Sequence, residues 1–107
     1  MPWTTLLALD ELTEGEAKPV DIDGYRLAVF LSNGQPFVLD DACPHAGASM
    51  SGGWVKNGCA VCPRHLWRFN LKDGTLDGTN AEGLRTYTTR LHEFNGRVLV
   101  QAELAMP

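Results

Sequence analysis

Cys43-Pro44-His45 and Cys62-Pro63-Arg64-His65 each set one thiol close to one imidazole, and sixteen residues separate the two motifs. Thiolate sulfur and imidazole nitrogen are the donors that zinc and iron take most readily. Four such donors serve either of two metal centres. One is a tetrahedral zinc site. The other is a pair of irons with unlike ligands, one held by two thiolates and its neighbour by two imidazoles. Zinc fingers usually join Cys with Cys and His with His, as C-x2-4-C followed by H-x3-5-H. Here each motif mixes the two residue types, which suits two metals with different ligands. A site without metal is the remaining alternative.

Such donors need stiff elements behind them, and the chain supplies short strands. Runs rich in β-branched and aromatic residues are punctuated by Gly, Asp and Asn, the pattern of an all-β sandwich or barrel. Asp23-Gly24 and Asn33-Gly34 flank the run Leu27-Ala28-Val29-Phe30-Leu31. Both dipeptides suit a type I′ hairpin turn, which needs positive φ at its two central residues. Phe37-Val38-Leu39 is expected to be a strand leading through Asp40-Asp41-Ala42 into the first motif. Gly52-Gly53 then turns the chain into a short strand at Trp54-Val55, and Asn57-Gly58 turns it back. Cys59 to Cys62 is the expected return strand, Leu66 to Leu71 leaves the second motif, and Lys72-Asp73-Gly74-Thr75 is another turn. The last hairpin is expected from Thr86 to Phe94, through Asn95-Gly96, to Arg97–Gln101. Only Leu6 to Thr13 reads as helical, for a single turn at most.

Composition narrows the class. A chain of 107 residues, 44% hydrophobic and 21% charged, suits one globular domain spanning 1–107 with a modest core. A net charge of -4 without a Lys/Arg cluster argues against nucleic acid as a partner, and an acidic face suits docking to a basic one. Leu6-Leu7-Ala8-Leu9 is cut short by Asp10-Glu11, so the amino terminus does not read as a signal peptide, and no apolar run approaches the length of a membrane span. The expectation is a cytoplasmic protein that does not engage a membrane.

The two motifs and their flanks resemble the Rieske [2Fe–2S] family. The resemblance runs through Leu12-Thr13-Glu14-Gly15-Glu16, Val20-Asp21-Ile22-Asp23-Gly24 and Leu39-Asp40-Asp41-Ala42-Cys43-Pro44-His45-Ala46-Gly47-Ala48. It continues in Gly53-Trp54-Val55, Cys62-Pro63-Arg64-His65-Leu66-Trp67-Arg68-Phe69 and Leu71-Lys72-Asp73-Gly74. It implies two packed antiparallel sheets forming a β-sandwich, with a small cluster-binding subdomain of two loops at about 42–71. It also implies one [2Fe–2S] cluster per chain, with Cys43 and Cys62 on one iron and His45 and His65 on the other. The added electron is expected on the His-ligated iron, whose neutral imidazoles donate less than thiolates.

Several positions depart from the family pattern. High-potential members carry a loop-tying disulfide at places that are Ala48 and Arg64 here. Their Ser and Tyr hydroxyls, two and four residues after the second His, are replaced by Trp67 and Phe69. Fewer donors to the cluster's sulfurs imply a potential toward the low end of the Rieske range, roughly -150 mV rather than +300 mV. The residue after the second His is commonly Gly and is Leu66 here. The third loop, Thr79-Asn80-Ala81-Glu82-Gly83, lacks the proline often found there.

Other candidates read as structural. The third cysteine, Cys59, is expected to be a small buried residue, and His92 a surface one. Trp54 and Trp67 read as packing residues of the core or of the subdomain, Trp3 as an anchor for the first strand, and Asp40-Asp41 as a turn before the ligand loop. The sequence displays no catalytic set of its own.

The resemblance implies a soluble electron carrier, passing single electrons from a flavin-dependent reductase to a terminal oxygenase, as the ferredoxin component of a dioxygenase system does. A second reading is the small Rieske subunit of a cytoplasmic NAD(P)H nitrite reductase, bound to its large subunit. A third is a redox-sensing interaction module.

Overall fold

The computed structural model describes residues 3–43, 48–64, 66–78 and 83–104. Its strands are β1 (Trp3–Ala8), β2 (Ala17–Ile22), β3 (Tyr25–Ser32), β4 (Gln35–Asp40), β5 (Trp54–Lys56), β6 (Cys59–Val61), β7 (Arg68–Asn70), β8 (Thr86–Tyr87), β9 (Thr89–Phe94) and β10 (Arg97–Glu103). They form three antiparallel sheets, ordered β1-β10-β9, β2-β3-β4-β8 and β5-β6-β7. The expected all-β class is what the chain adopts.

Asx-Gly dipeptides set the hairpins. Asp23, Asn33, Asn57 and Asn95 have φ of 50 to 54°, and the glycine after each has φ of 74 to 82°. Asx residues tolerate this left-handed region and glycine enters it freely, so each pair makes the turn whose twist matches its strands. The Asn33-Gly34 turn is further clamped by Glu14, whose carboxylate accepts both backbone N–H groups at 2.6 and 3.0 Å.

Strand β3 explains why its sequence is apolar without alternation. Leu27 and Val29 face one buried cluster, with Leu7, Val38, Tyr87, Val100, Ala102 and Leu104. Ala28 and Phe30, on the opposite face, join Leu39, Met50, Ala60, Phe69, Leu71 and Leu84 in another. The β2-β3-β4-β8 sheet is therefore a partition between two cores, and a strand buried on both faces loses the polar half of its pattern. The third sheet is tied to this partition by Val55 N–H donating to the Gly15 carbonyl at 2.8 Å and by a bridge between Glu16 and Trp54.

Two expectations need correction. The single strand expected from Thr86 to Phe94 is two. Thr86 and Tyr87 pair with β4, while Thr89 onward pairs with β10. Between them the Thr88 carbonyl accepts the Glu103 N–H at 2.8 Å, so the chain crosses from one sheet to the other at that residue. Trp54 is 39% exposed on β5 and is no core residue; strand alternation turns the neighbouring Val55 toward the core instead. The helical expectation at Leu6 to Thr13 reduces to one 3-10 turn at Leu9–Glu11, and a second such turn occurs at Met50–Gly52.

Candidate metal centre

Cys43 follows β4 by three residues, and backbone bonds close the neck of its loop. Its N–H donates to the Ala48 carbonyl at 2.8 Å, and Ala42 bridges Ser49. Beneath this neck lies Asp41, only 3% exposed. One carboxylate oxygen accepts the Ser49 hydroxyl at 2.6 Å and the other the Ser51 N–H at 2.8 Å. The backbone N–H of Asp41 donates to Arg26 and its carbonyl accepts from Met50. A buried carboxylate is tolerated when its lone pairs are met in this way. Asp41 is thus a brace for the loop, which agrees with its reading as a turn residue. Asp40 accepts the Tyr87 hydroxyl at 2.5 Å and has a structural partner as well.

Cys62 follows β6 directly, and its loop is closed by the same device. The Cys62 N–H donates to the Trp67 carbonyl at 2.8 Å and the Leu66 N–H to the Cys62 carbonyl at 2.9 Å. Gly53 fits this loop to the first, since a Cβ there would lie 1.9 Å from the Val61 carbonyl oxygen. Only a residue without a side chain permits so close an approach.

Cys43 is 2% and Cys62 0% exposed, and both belong to one buried cluster with Met50, Ala60, Phe69 and Leu84. Neither is joined in a disulfide. Two thiols outside any disulfide, buried and at the bases of adjacent loops, are a fitting donor set for a thiolate-ligated iron, which takes them deprotonated. His45 and His65 lie outside the described residues, as do the other loop positions 44, 46 and 47 and residues 79–82 of the third loop.

Cys59 is set apart from the other two. It is buried, yet lies outside the cluster that holds Cys43 and Cys62. Its thiol reaches the Asn70 Oδ1 at 3.6 Å. Burial chiefly, with the Asp77 carboxylate nearby, pushes its pKa up, against a smaller opposing effect of Arg68. It is an inert interior thiol, as its place on an alternating strand implied. His92 is exposed on β9.

The replaced hydroxyls can be placed. Phe69 is fully buried in the cluster with Cys43 and Cys62, and Trp67 packs at its margin. A Cβ on Gly83 would come within 2.6 Å of the Phe69 ring, so the end of the third loop lies directly on that ring. The sequence did not single out Gly83 for this contact, because nothing local marks a glycine chosen for clearance.

Residues 2–88 match the signature of the Rieske [2Fe-2S] domain. The chain belongs to that family. Membership in it brings one [2Fe–2S] cluster. Over 99 residues the chain is 29% identical to the ferredoxin component of a naphthalene 1,2-dioxygenase system from Pseudomonas putida, covering 92% of this chain and 93% of that one. Over 74 residues it is 39% identical to a cholesterol 7-desaturase from Hemicentrotus pulcherrimus; this is 67% of the present Rieske chain but only 16% of the desaturase. In structure it matches a protein assigned as the small subunit of an NADH-dependent nitrite reductase from Mycobacterium tuberculosis, with a TM-score of 0.84 and 26% identity over 98% and 97% of the two chains. Among the described residues no helix of this Rieske protein is long and apolar enough to cross a membrane.

Proposed function

We propose that this chain is a one-electron carrier whose cluster is held by Cys43, His45, Cys62 and His65, the two cysteines on one iron and the two histidines on the other. Residues 1–107 form one domain in this reading, and about 42–71 form its cluster-binding subdomain. When bound, the cluster supplies a single reversible electron. Phe69, Met50 and Leu84 keep water from the thiolate side, and Asp41 holds the first loop in place. The observation that carries the reading is the burial of both thiols in one apolar cluster beneath loops whose described tip residues, Pro63, Arg64 and Leu66, are exposed. Such a centre is shielded behind and reachable in front, as electron transfer to a docked protein requires.

The electron passes from a flavin-dependent reductase to a terminal oxygenase, in the cytoplasm. Similarity along almost the whole length of a dioxygenase ferredoxin component supports this direction. The nitrite reductase small subunit is the second reading, supported by the fold match over 97% of such a chain. Affinity purification from the native host distinguishes them. A carrier elutes alone as a monomer, whereas a subunit elutes with a large sirohaem-containing chain. Recovery of that chain in stoichiometric amount would replace the carrier by the subunit.

A further inference from the structure

Among the described residues Asp41 is the one buried side chain that carries a charge. Both of its carboxylate oxygens are met, but only by neutral donors. These are the Ser49 hydroxyl at 2.6 Å and the Ser51 N–H at 2.8 Å. The Ser49 and Ser51 hydroxyls lie 2.7 Å apart, so the cradle is made of serine alone. The ion pairs among the described residues join Asp10, Asp21 and Asp77 to arginines, and none includes Asp41. Those three carboxylates are also wetter, with 40% to 75% of each side chain exposed. Water and a guanidinium weaken their fields. A neutral cradle satisfies the lone pairs of Asp41 without cancelling its charge, and burial keeps water from screening it.

That charge lies close to the candidate metal centre. Cys43 is the second residue after Asp41, a reach of at most about 7 Å along extended chain. Ala42 between them is exposed, so its two neighbours turn together toward the interior. Cys43 is 2% exposed, and the medium between the two side chains is protein. Reduction adds one electron to the centre, which a fixed negative charge nearby opposes. At about 10 Å and an effective dielectric of about 20, one unit charge changes such an equilibrium about tenfold. We propose that Asp41 lowers the redox potential of the centre through its charge, in addition to bracing the first loop. The inference rests on the cluster reading, and it adds an electrostatic cause of low potential to the missing hydroxyls.

The test is redox titration of the cluster-loaded protein and its Asp41→Asn variant at one pH and one ionic strength. Asn keeps the shape of the side chain and can still bond Ser49 and Ser51, so the charge is what it removes. The midpoint should rise by about 60 mV, which is a tenfold change for one electron. The reduced EPR signal should keep its g values, as the ligands have not moved. Asp21→Asn removes an exposed charge paired with Arg26 and should leave the midpoint unchanged. Ser49→Ala removes a bond to Asp41 but keeps the charge, so it should lower the melting temperature without raising the midpoint. An unshifted midpoint in Asp41→Asn, or an equal rise in Ser49→Ala, overturns the proposal and leaves the cluster reading intact. If Asp41→Asn does not hold iron, Asp41→Ser, also neutral and hydrogen-bonding, is titrated in its place with the same rise expected. Loss of the cluster from both, while Ser49→Ala retains it, would make Asp41 a brace alone and overturn the proposal. Absence of a Rieske-type reduced signal from the unmodified protein removes the cluster reading and this inference with it.

Discussion

The three cysteines share burial but differ in surroundings, and the proposed division of roles follows that difference. Cys43 and Cys62 lie in one apolar cluster, while Cys59 lies outside it against Asn70. Replacing Cys43 or Cys62 by Ala should abolish the visible absorption of the cluster, because in the proposed centre each supplies one of the two cysteine thiolates on one iron. Cys59→Ala should retain it in full, with iron content measured alongside. Phe69 is the other informative residue. Its buried ring stands where high-potential relatives have a Tyr hydroxyl, so the reduced, more negative cluster is without that hydrogen bond. The midpoint potential is expected near the low end of the Rieske range, about -150 mV. Phe69→Tyr, which restores a hydroxyl donor at this position, should raise it, read by redox titration. A midpoint of the unmodified protein well above zero would contradict this account of tuning.

At the scale of elements, the loops are held by their necks. Asp41 joins β4 to the segment after the first loop by accepting from Ser49 and Ser51. Asp41→Ala leaves the part-buried Ser51 N–H and Ser49 hydroxyl without their acceptor, at a cost of about 2 kcal/mol, so chemical denaturation should show a loss of that size. Asp41→Asn, which can still accept from Ser51 and donate to Ser49, should lose much less. These elements were legible in the sequence to different degrees. The Asx-Gly turns were readable because the dipeptide itself sets φ. The sheet switch at Thr88 was not, because β-propensity runs unbroken from Thr86 to Phe94 and only tertiary pairing divides it. Trp54 was misread for the same reason: alternation gives two faces, and only the packed structure says which one is wet. Asp41 read as a turn residue, but its two bonds depend on residues eight and ten positions ahead. The donor residue types and their spacing were plain from the chain, whereas the backbone bonds that close the two loop necks depend on the folded structure.

The molecule is built around the β2-β3-β4-β8 sheet, with a core on each face, and Tyr87 helps join its parts. Its ring meets the edge of Tyr25 at 5.9 Å, lies beneath the Arg85 guanidinium at 5.1 Å, and its hydroxyl donates to Asp40. Burial first, and then the Asp40 carboxylate, push the phenol pKa well above its ordinary value. A raised folded pKa favours the protonated form. The stability it contributes is therefore complete below the unfolded pKa, about 10, and declines as pH rises beyond it. The denaturation midpoint should fall on going upward from pH 10, and Tyr87→Phe should flatten that fall while lowering stability at neutral pH. An equally steep fall in both proteins would remove Tyr87 from the explanation. At this scale the central claim is that two thiols and two imidazoles from two loops hold one cluster. Low-temperature EPR of the purified protein, before and after dithionite, tests it most directly. The account predicts a silent oxidised form and a reduced form with a Rieske-type signal carrying coupling from two imidazole nitrogens. A colourless protein with stoichiometric zinc, or a reduced signal without nitrogen coupling, would contradict it.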